Sequence, residues 1–213
     1  MSDFFFHIEE YILEHSDPED EVLAALNRET NLKVLRPRML SGHLQGKILE
    51  MISKMIQPEK ILEIGTYTGY SAICLAKGIK KGGKLHTIEI NDELEDIVLK
   101  YIKKAGLTEV VSNHFGNALE IIPEINEMFD LVFIDGDKRE YLKYYHMVFD
   151  HVKPGGFILA DNVLWSGKVI ELDSPDDEYT KGIFDFNEYL KNDSRVEKVI
   201  LPLRDGLTLI RKK

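Results

Sequence analysis

The sequence predicts an α/β fold: a doubly wound sheet of seven strands, mostly parallel, ending in an antiparallel carboxyl-terminal hairpin and preceded by helices. Three observations predict it. From residue 60 onward, short apolar runs alternate with amphipathic stretches of helical period, the alternation that builds right-handed crossovers and a parallel sheet covered on both faces. A turn carrying Gly65 and Gly69 follows the first of those runs. Asp205-Gly206 separates the last two apolar runs, which is a hairpin signal.

Three helical segments open the chain. The first carries Phe5, Ile8 and Ile12; the second begins at Pro18 and carries Val22, Leu23 and Leu26. The third has Ile48, Leu49, Ile52 and Ile56 at helical spacing and ends before Pro58. They read as a cap over residues 1–57 on a core of 58–213, within one domain. The core strands are expected at Ile61–Ile64, Lys84–Ile90, Val110–Phe115, Leu131–Ile134 and Phe157–Ala160, with helices near residues 70–79, 92–105, 118–127 and 140–151. In the second of these helices Asn91 or Asp92 caps the start, and Leu94, Ile97, Val98, Tyr101 and Ile102 form one stripe. Lys103 and Lys104 suit its negative end, and Gly106 stops it. Lys153-Pro154-Gly155-Gly156 is expected to break the chain before the fifth strand. A polar loop around Ser174–Asp177 then leads to a helix with Ile183, Phe184, Phe186 and Tyr189, and to strands at Val196–Leu203 and Leu207–Ile210.

Composition bounds the function. The chain has 213 residues, and 27 basic against 37 acidic side chains give a net charge of −10. Such a surface repels phosphate backbones and anionic membranes, so nucleic-acid and membrane partners are not expected. The amino terminus lacks the basic region and apolar stretch of a secretory signal, no run approaches a membrane span, and the one cysteine, Cys74, excludes an intrachain disulfide or multi-cysteine zinc site. A cytoplasmic location is the expectation.

The motif Ile61-Leu62-Glu63-Ile64-Gly65-Thr66-Tyr67-Thr68-Gly69-Tyr70-Ser71 sits where an open parallel sheet binds ligands, beyond the carboxyl end of its first strand. It lacks the G-x-G-x-x-G of a dinucleotide site, and the acid Glu63 suits a positively charged ligand, such as a methionine ammonium, better than a phosphate. Glu89, at the tip of the second strand, can accept from both hydroxyls of a ribose. The alternative is a tight turn and a solvated strand end.

Asp135 and Asp137 follow the fourth strand, and Asp161-Asn162 follow the fifth, so both open on the edge that holds the glycine turn. Like charges 4 Å apart repel by about 4 kcal/mol at an effective dielectric near 20, so the cluster calls for a cation. Asp135, Asp161 and the Asn162 amide offer only oxygen, which suits Mg²⁺ first, then Ca²⁺ or Mn²⁺. The competing role for these residues is capping of turns and helices. If the acceptor is a phenol, its ionisation at neutral pH costs about 4 kcal/mol, which a divalent ion reduces. Lys138 would then take the proton or face the phenolate; otherwise it is a surface lysine paired with Glu140 or another acid.

The segments EIGTYTGYS, FIDGDK and ADNVLWSG, in this order and spacing, resemble the cation-dependent O-methyltransferases that include catechol and caffeoyl-CoA O-methyltransferases. The similarity runs from about Met39 to the end of the chain. The resemblance implies a Rossmann-like fold, S-adenosylmethionine as cofactor, and a divalent ion held by Asp135, Asp161 and Asn162 with Lys138 as base. Glu63, Gly65, Tyr67, Gly69 and Ser71 would surround the cofactor together with Asp135; Glu89 would hold its ribose, and Ala118 would lie near the adenine. Met39 and Ser41 match a segment that in the family closes over cofactor and substrate. Asp137 and Trp165 match positions beside the acceptor, although a lone tryptophan also suits a core. Homodimers recur among such proteins.

Two departures stand out. Asn117 occupies a position that is often acidic in the family, and Gly167–Thr180 is acidic where a CoA thioester would call for basic groups. The latter favours a small catechol-like acceptor, with Arg36, Arg38 and Lys168 keeping an acyl-CoA open. The rival functions are a metal-dependent phosphoesterase, for which no nucleophile or phosphate-holding group is evident, and a nucleoside-binding module without chemistry.

Overall fold

In the computed structural model the described residues are 8, 10–170 and 177–213. Phe5, at the start of the first expected helix, and Ser174 to Asp176 of the polar loop lie outside them. Residues 10–14 are helical. Helix α1 (Glu21–Lys33) begins where the Asp20 carboxylate accepts from the Val22 and Leu23 backbone N–H groups, and α2 (Gly42–Ile56) follows.

The sheet strands are β1 (Lys60–Ile64), β2 (Lys84–Glu89), β3 (Val111–Phe115), β4 (Phe129–Ile134), β5 (Val152–Asp161), β6 (Val196–Leu201) and β7 (Leu207–Lys212). They lie in the order β3-β2-β1-β4-β5-β7-β6. The first five run parallel, and β7 is antiparallel to both β5 and β6, as the Asp-Gly turn requires. Helices α3 (Tyr70–Ala76), α4 (Glu95–Lys104), α5 (Ala118–Ile121), α6 (Tyr141–Phe149) and α7 (Glu178–Asn192) complete the framework.

Alternation along each strand divides the core. Leu62, Val132 and Ile158 pack with Tyr141, Tyr145 and Phe186 of α6 and α7. Ile61, Leu131, Phe133 and Leu159 face the opposite layer with Leu26, Leu49, Ile73 and Val98 of α1 to α4. Cys74 is buried in that second layer as a free thiol.

Three expectations need correction. Lys153-Pro154-Gly155-Gly156 does not break the chain before β5; it lies inside the strand as a bulge, where Val152 pairs with Phe129 and Phe157 already pairs with Leu131. The expected helix 118–127 is one short turn, because Pro123 offers no N–H and the chain tightens into a 3₁₀ turn at Ile122–Glu124. β6 stops at Leu201, since the next residue is Pro202. Among the described residues no helix is long and apolar enough to cross a membrane.

Candidate functional site

The carboxyl ends of β1, β2, β4 and β5 open on one edge, and the order reverses between β1 and β4. Gly65 leaves β1 at φ +100°, and a Cβ there would overlap the Asp135 carbonyl. The two strand ends therefore touch backbone to backbone, which only glycine permits. The Gly65 N–H donates to the Ile88 carbonyl at 2.9 Å, and Gly69, at φ +90°, starts α3.

Glu63 is fully buried on β1. The Thr87 hydroxyl donates to its Oε2 at 2.5 Å, while Oε1 has no partner. Burial pushes its pKa up to about 8, opposed by the Ser71 and Thr87 hydroxyls and reinforced by Asp135 and Glu89. Glu89, also buried, accepts from the backbone N–H groups of Tyr67 (2.6 Å) and Asn91 (2.9 Å). Burial raises its pKa as well.

The Tyr67 hydroxyl donates to the Leu35 carbonyl at 3.0 Å, tying this turn to the segment before Met39. Met39 is 54% exposed, and Ser41 is buried. Ala118 is buried, and Asn117 caps its helix by accepting from the Leu119 N–H at 3.0 Å.

The second half of the site follows β4 and β5, where Ile134 pairs with Ala160 and so brings the next residues, Asp135 and Asp161, side by side. Lys138 Nζ, buried, donates to Asp135 Oδ1 at 2.7 Å and to the Tyr141 hydroxyl oxygen at 2.6 Å. That hydroxyl donates to the Asp161 carbonyl oxygen at 2.9 Å, and burial beside the two acids holds its pKa well above the usual phenol value. Asp161 takes one hydrogen bond on each oxygen, from Gln45 Nε2 at 2.6 Å and from the Asn162 N–H at 2.8 Å. Burial first, then the Asp135 charge, raises its pKa. Asn162 stands at φ +58°, a left-handed conformation that asparagine tolerates.

This donor set fits a hard divalent ion. Two carboxylates face one ammonium, leaving negative charge uncompensated, and each Asp161 oxygen keeps a spare lone pair. Among the described residues no cluster of three or more His, Cys, Asp or Glu side chains could hold a metal; a cation at this place would need the Asn162 amide beside Asp135 and Asp161.

Two expected residues sit apart from this cluster. Asp137 caps the turn at Lys138–Glu140 and pairs with Arg139, whose Nη2 donates to Oδ2 at 2.5 Å. Trp165, half-buried, stacks on Tyr179 with ring centroids 6.4 Å apart and an unpartnered buried Nε1. Arg139 covers the Tyr179 ring in turn, at 4.8 Å. Gln45, Tyr141 and Arg204 were missed by sequence reasoning. Only Tyr141, three residues after Lys138, had a spacing that could have drawn attention.

Fold and site define an S-adenosylmethionine-dependent methyltransferase: a doubly wound sheet with buried acids under a glycine turn and an acid–lysine cluster beside it. A family model described as O-methyltransferase matches residues 13–213. The chain is 36% identical over 216 residues to caffeoyl-CoA O-methyltransferase 5 of Nicotiana tabacum, covering 95% of this chain and 90% of that protein. It is 37% identical to the caffeoyl-CoA O-methyltransferase of Petroselinum crispum, covering 95% and 89%. Among solved structures, the O-methyltransferase TomG of Streptomyces achromogenes, in complex with S-adenosylmethionine, superposes with a TM-score of 0.90 at 30% identity, covering 97% of this chain and 96% of that one. An O-methyltransferase from Bacillus cereus in complex with SAH gives 0.89 at 30%, covering 97% of each chain. The chain belongs to the O-methyltransferase family and is of the caffeoyl-CoA O-methyltransferase type, so neither the phosphoesterase nor the chemistry-free module stands.

Proposed function

We propose that the protein methylates a hydroxyl of a catechol-like aromatic small molecule, with a divalent cation held by Asp135, Asp161 and Asn162 and with Lys138 as the base. The observation that carries the reading is the buried chain Asp135–Lys138–Tyr141–Asp161 at the ends of β4 and β5. S-adenosylmethionine supplies a sulfonium methyl that is already electrophilic, so ionising the acceptor is the step the protein must assist. A divalent cation, Mg²⁺ first and Ca²⁺ or Mn²⁺ after it, supplies Lewis acidity that lowers the pKa of a phenolic hydroxyl.

The chain's own residues do the rest. Glu63 accepts from the methionine ammonium, and Glu89, beside the Tyr67 N–H that it already holds, accepts from the ribose hydroxyls. Gly65, Tyr67, Gly69 and Ser71 line the methionine side, Met39 and Ser41 cover it, and Ala118 flanks the adenine. Lys138 Nζ is fixed by Asp135 and Tyr141; as the free amine it takes the hydroxyl proton, and as the ammonium it faces the phenolate. Asp137 and Trp165 flank the acceptor.

The relatives' names favour a second acceptor, caffeoyl-CoA, which also carries a catechol. Against it, Lys168 faces Asp177 at 3.8 Å and is compensated before any phosphate arrives; Arg36 and Arg38, which carry no such pair among the described residues, keep the acyl-CoA as the alternative. Comparing kcat/KM for catechol, caffeic acid and caffeoyl-CoA separates the two. Pairing with a second copy belongs to the same proposal: Met51, Met55, Val199 and Ile200 expose apolar surface, and a solution mass of one chain would remove it.

Catechol methylation should vanish on chelation and return with Mg²⁺. Asp161→Ala should lower it about a hundredfold or more, a tenfold loss for each pKa unit of hydroxyl activation removed, while S-adenosylmethionine still binds. Full activity in metal-free protein would overturn the cation reading.

A further inference from the structure

Gln45 and Arg204 belong to none of the motifs that mark the site, yet they close on Asp161 from two distant parts of the chain. Gln45 lies on α2 and is 1% exposed. Its Nε2 donates to Asp161 Oδ2 at 2.6 Å, and its Oε1 accepts from Arg204 Nη1 at 2.9 Å. Arg204, at φ +48° in the turn between β6 and β7, also donates to the carbonyl oxygens of Leu40, at 3.2 Å, and Ser41.

The chemistry of the partners fixes the direction of the amide. A guanidinium has only donors, so it must take Oε1, and Nε2 is left for the carboxylate. With Gln45 on Oδ2 and the Asn162 N–H on Oδ1, both oxygens of Asp161 are held and its carboxylate plane cannot turn freely. The same turn grips the loop after β5: the Asp205 carbonyl accepts from the Leu164 N–H at 2.9 Å, its carboxylate from the Ser166 N–H, and the Gly206 carbonyl from the Val163 N–H at 3.1 Å. One turn thus spans the Leu40–Ser41 segment on one side and the Val163–Ser166 loop on the other.

We propose that Gln45 and Arg204 are positioning residues of the cation site: Arg204 orients the Gln45 amide, and Gln45 holds the Asp161 carboxylate in its ligating direction. The inference rests on the cation reading above. Hydrogen-bond partners of metal ligands fix the ligand's orientation, and their loss costs on the order of 10–100-fold in metal affinity.

Mn²⁺ uptake, followed by the electron paramagnetic resonance signal of the free ion, tests this on wild type, Gln45→Leu, Arg204→Met and Arg204→Lys. S-adenosylmethionine affinity and melting temperature are measured on the same samples. Gln45→Leu and Arg204→Met should each weaken Mn²⁺ binding by about 10–100-fold. Gln45→Leu should keep wild-type cofactor affinity, and Arg204→Lys, which retains a donor for Oε1, should recover part of the Arg204→Met loss. Wild-type Mn²⁺ affinity in Gln45→Leu overturns the inference and leaves the cation reading standing. A parallel fall of Mn²⁺ affinity, cofactor affinity and melting temperature marks a merely structural role and overturns it too. A wild type that takes up no Mn²⁺ removes both the inference and the reading beneath it.

Discussion

Glu63 is a carboxylate kept from water, with one oxygen held by Thr87 and the other unpartnered. Its pKa of about 8 against an ordinary 4.5 has a definite sign. Below the ordinary value both folded and unfolded chains carry the proton; between the two values the unfolded chain ionises more readily, so ligand-free stability falls as pH rises through that window. Glu63→Gln cannot ionise, and its melting temperature should gain on wild type between about pH 5 and pH 8.5, while its affinity for S-adenosylmethionine drops for want of a charge facing the ammonium. Parallel melting curves for the two proteins across that range would refute the assignment. At this scale the sequence reveals acids that adjoin strand ends, because the ends of parallel strands converge by topology. It hides Gln45 and Arg204, whose meaning lies in partners 116 and 159 residues away.

Strands β2 and β3 carry a second titrating device, remote from the glycine turn in sequence and unused by the chemistry. His86 Nδ1 and His114 Nε2 are 3.0 Å apart, which works only if one nitrogen donates and the other accepts. Burial lowers the pKa of both rings; Glu127, 3.2 Å from His86 Nε2, opposes this for His86, while Lys60 and Lys84 add to it. A depressed imidazole gives stability that is fully present above the unfolded value of about 6.5 and is lost as pH falls below it toward the folded value. His114→Leu should therefore show a smaller drop in urea midpoint than wild type between about pH 7.5 and pH 5.5, and an equal drop in both would sink the idea. Elements were legible here where period and charge agree, as in α4 with its Lys103-Lys104 end; Asn91 caps the 3₁₀ turn at Asp92–Leu94 that precedes it, not α4 itself. Lys153–Gly156 reads locally as a breaker, and only pairing with β4, supplied by residues far upstream, turns it into a bulge.

For the whole molecule, strand alternation was enough to give the parallel sheet, and the switch point between β1 and β4 then follows from chain order. Because the glycine turn touches Asp135 through Gly65 and the Leu35 carbonyl through Tyr67, occupancy of the site proposed there would bear on both the sheet and the helices that precede it. A ligand that binds only the folded chain stabilises it by about 2.7 kcal/mol at a hundred times its Kd. For a protein of this size that corresponds to a rise in melting temperature of roughly 5–11 °C. S-adenosylmethionine should produce such a rise, and Glu89→Ala should abolish most of it by removing the carboxylate assigned to the ribose together with its hold on the Tyr67 N–H of the glycine turn. NAD and ATP, which bring phosphates toward Glu63, should produce little. An equal rise with NAD would mean that the buried acid does not select for positive charge, and the assignment of the methionine end to Glu63 would fall with it.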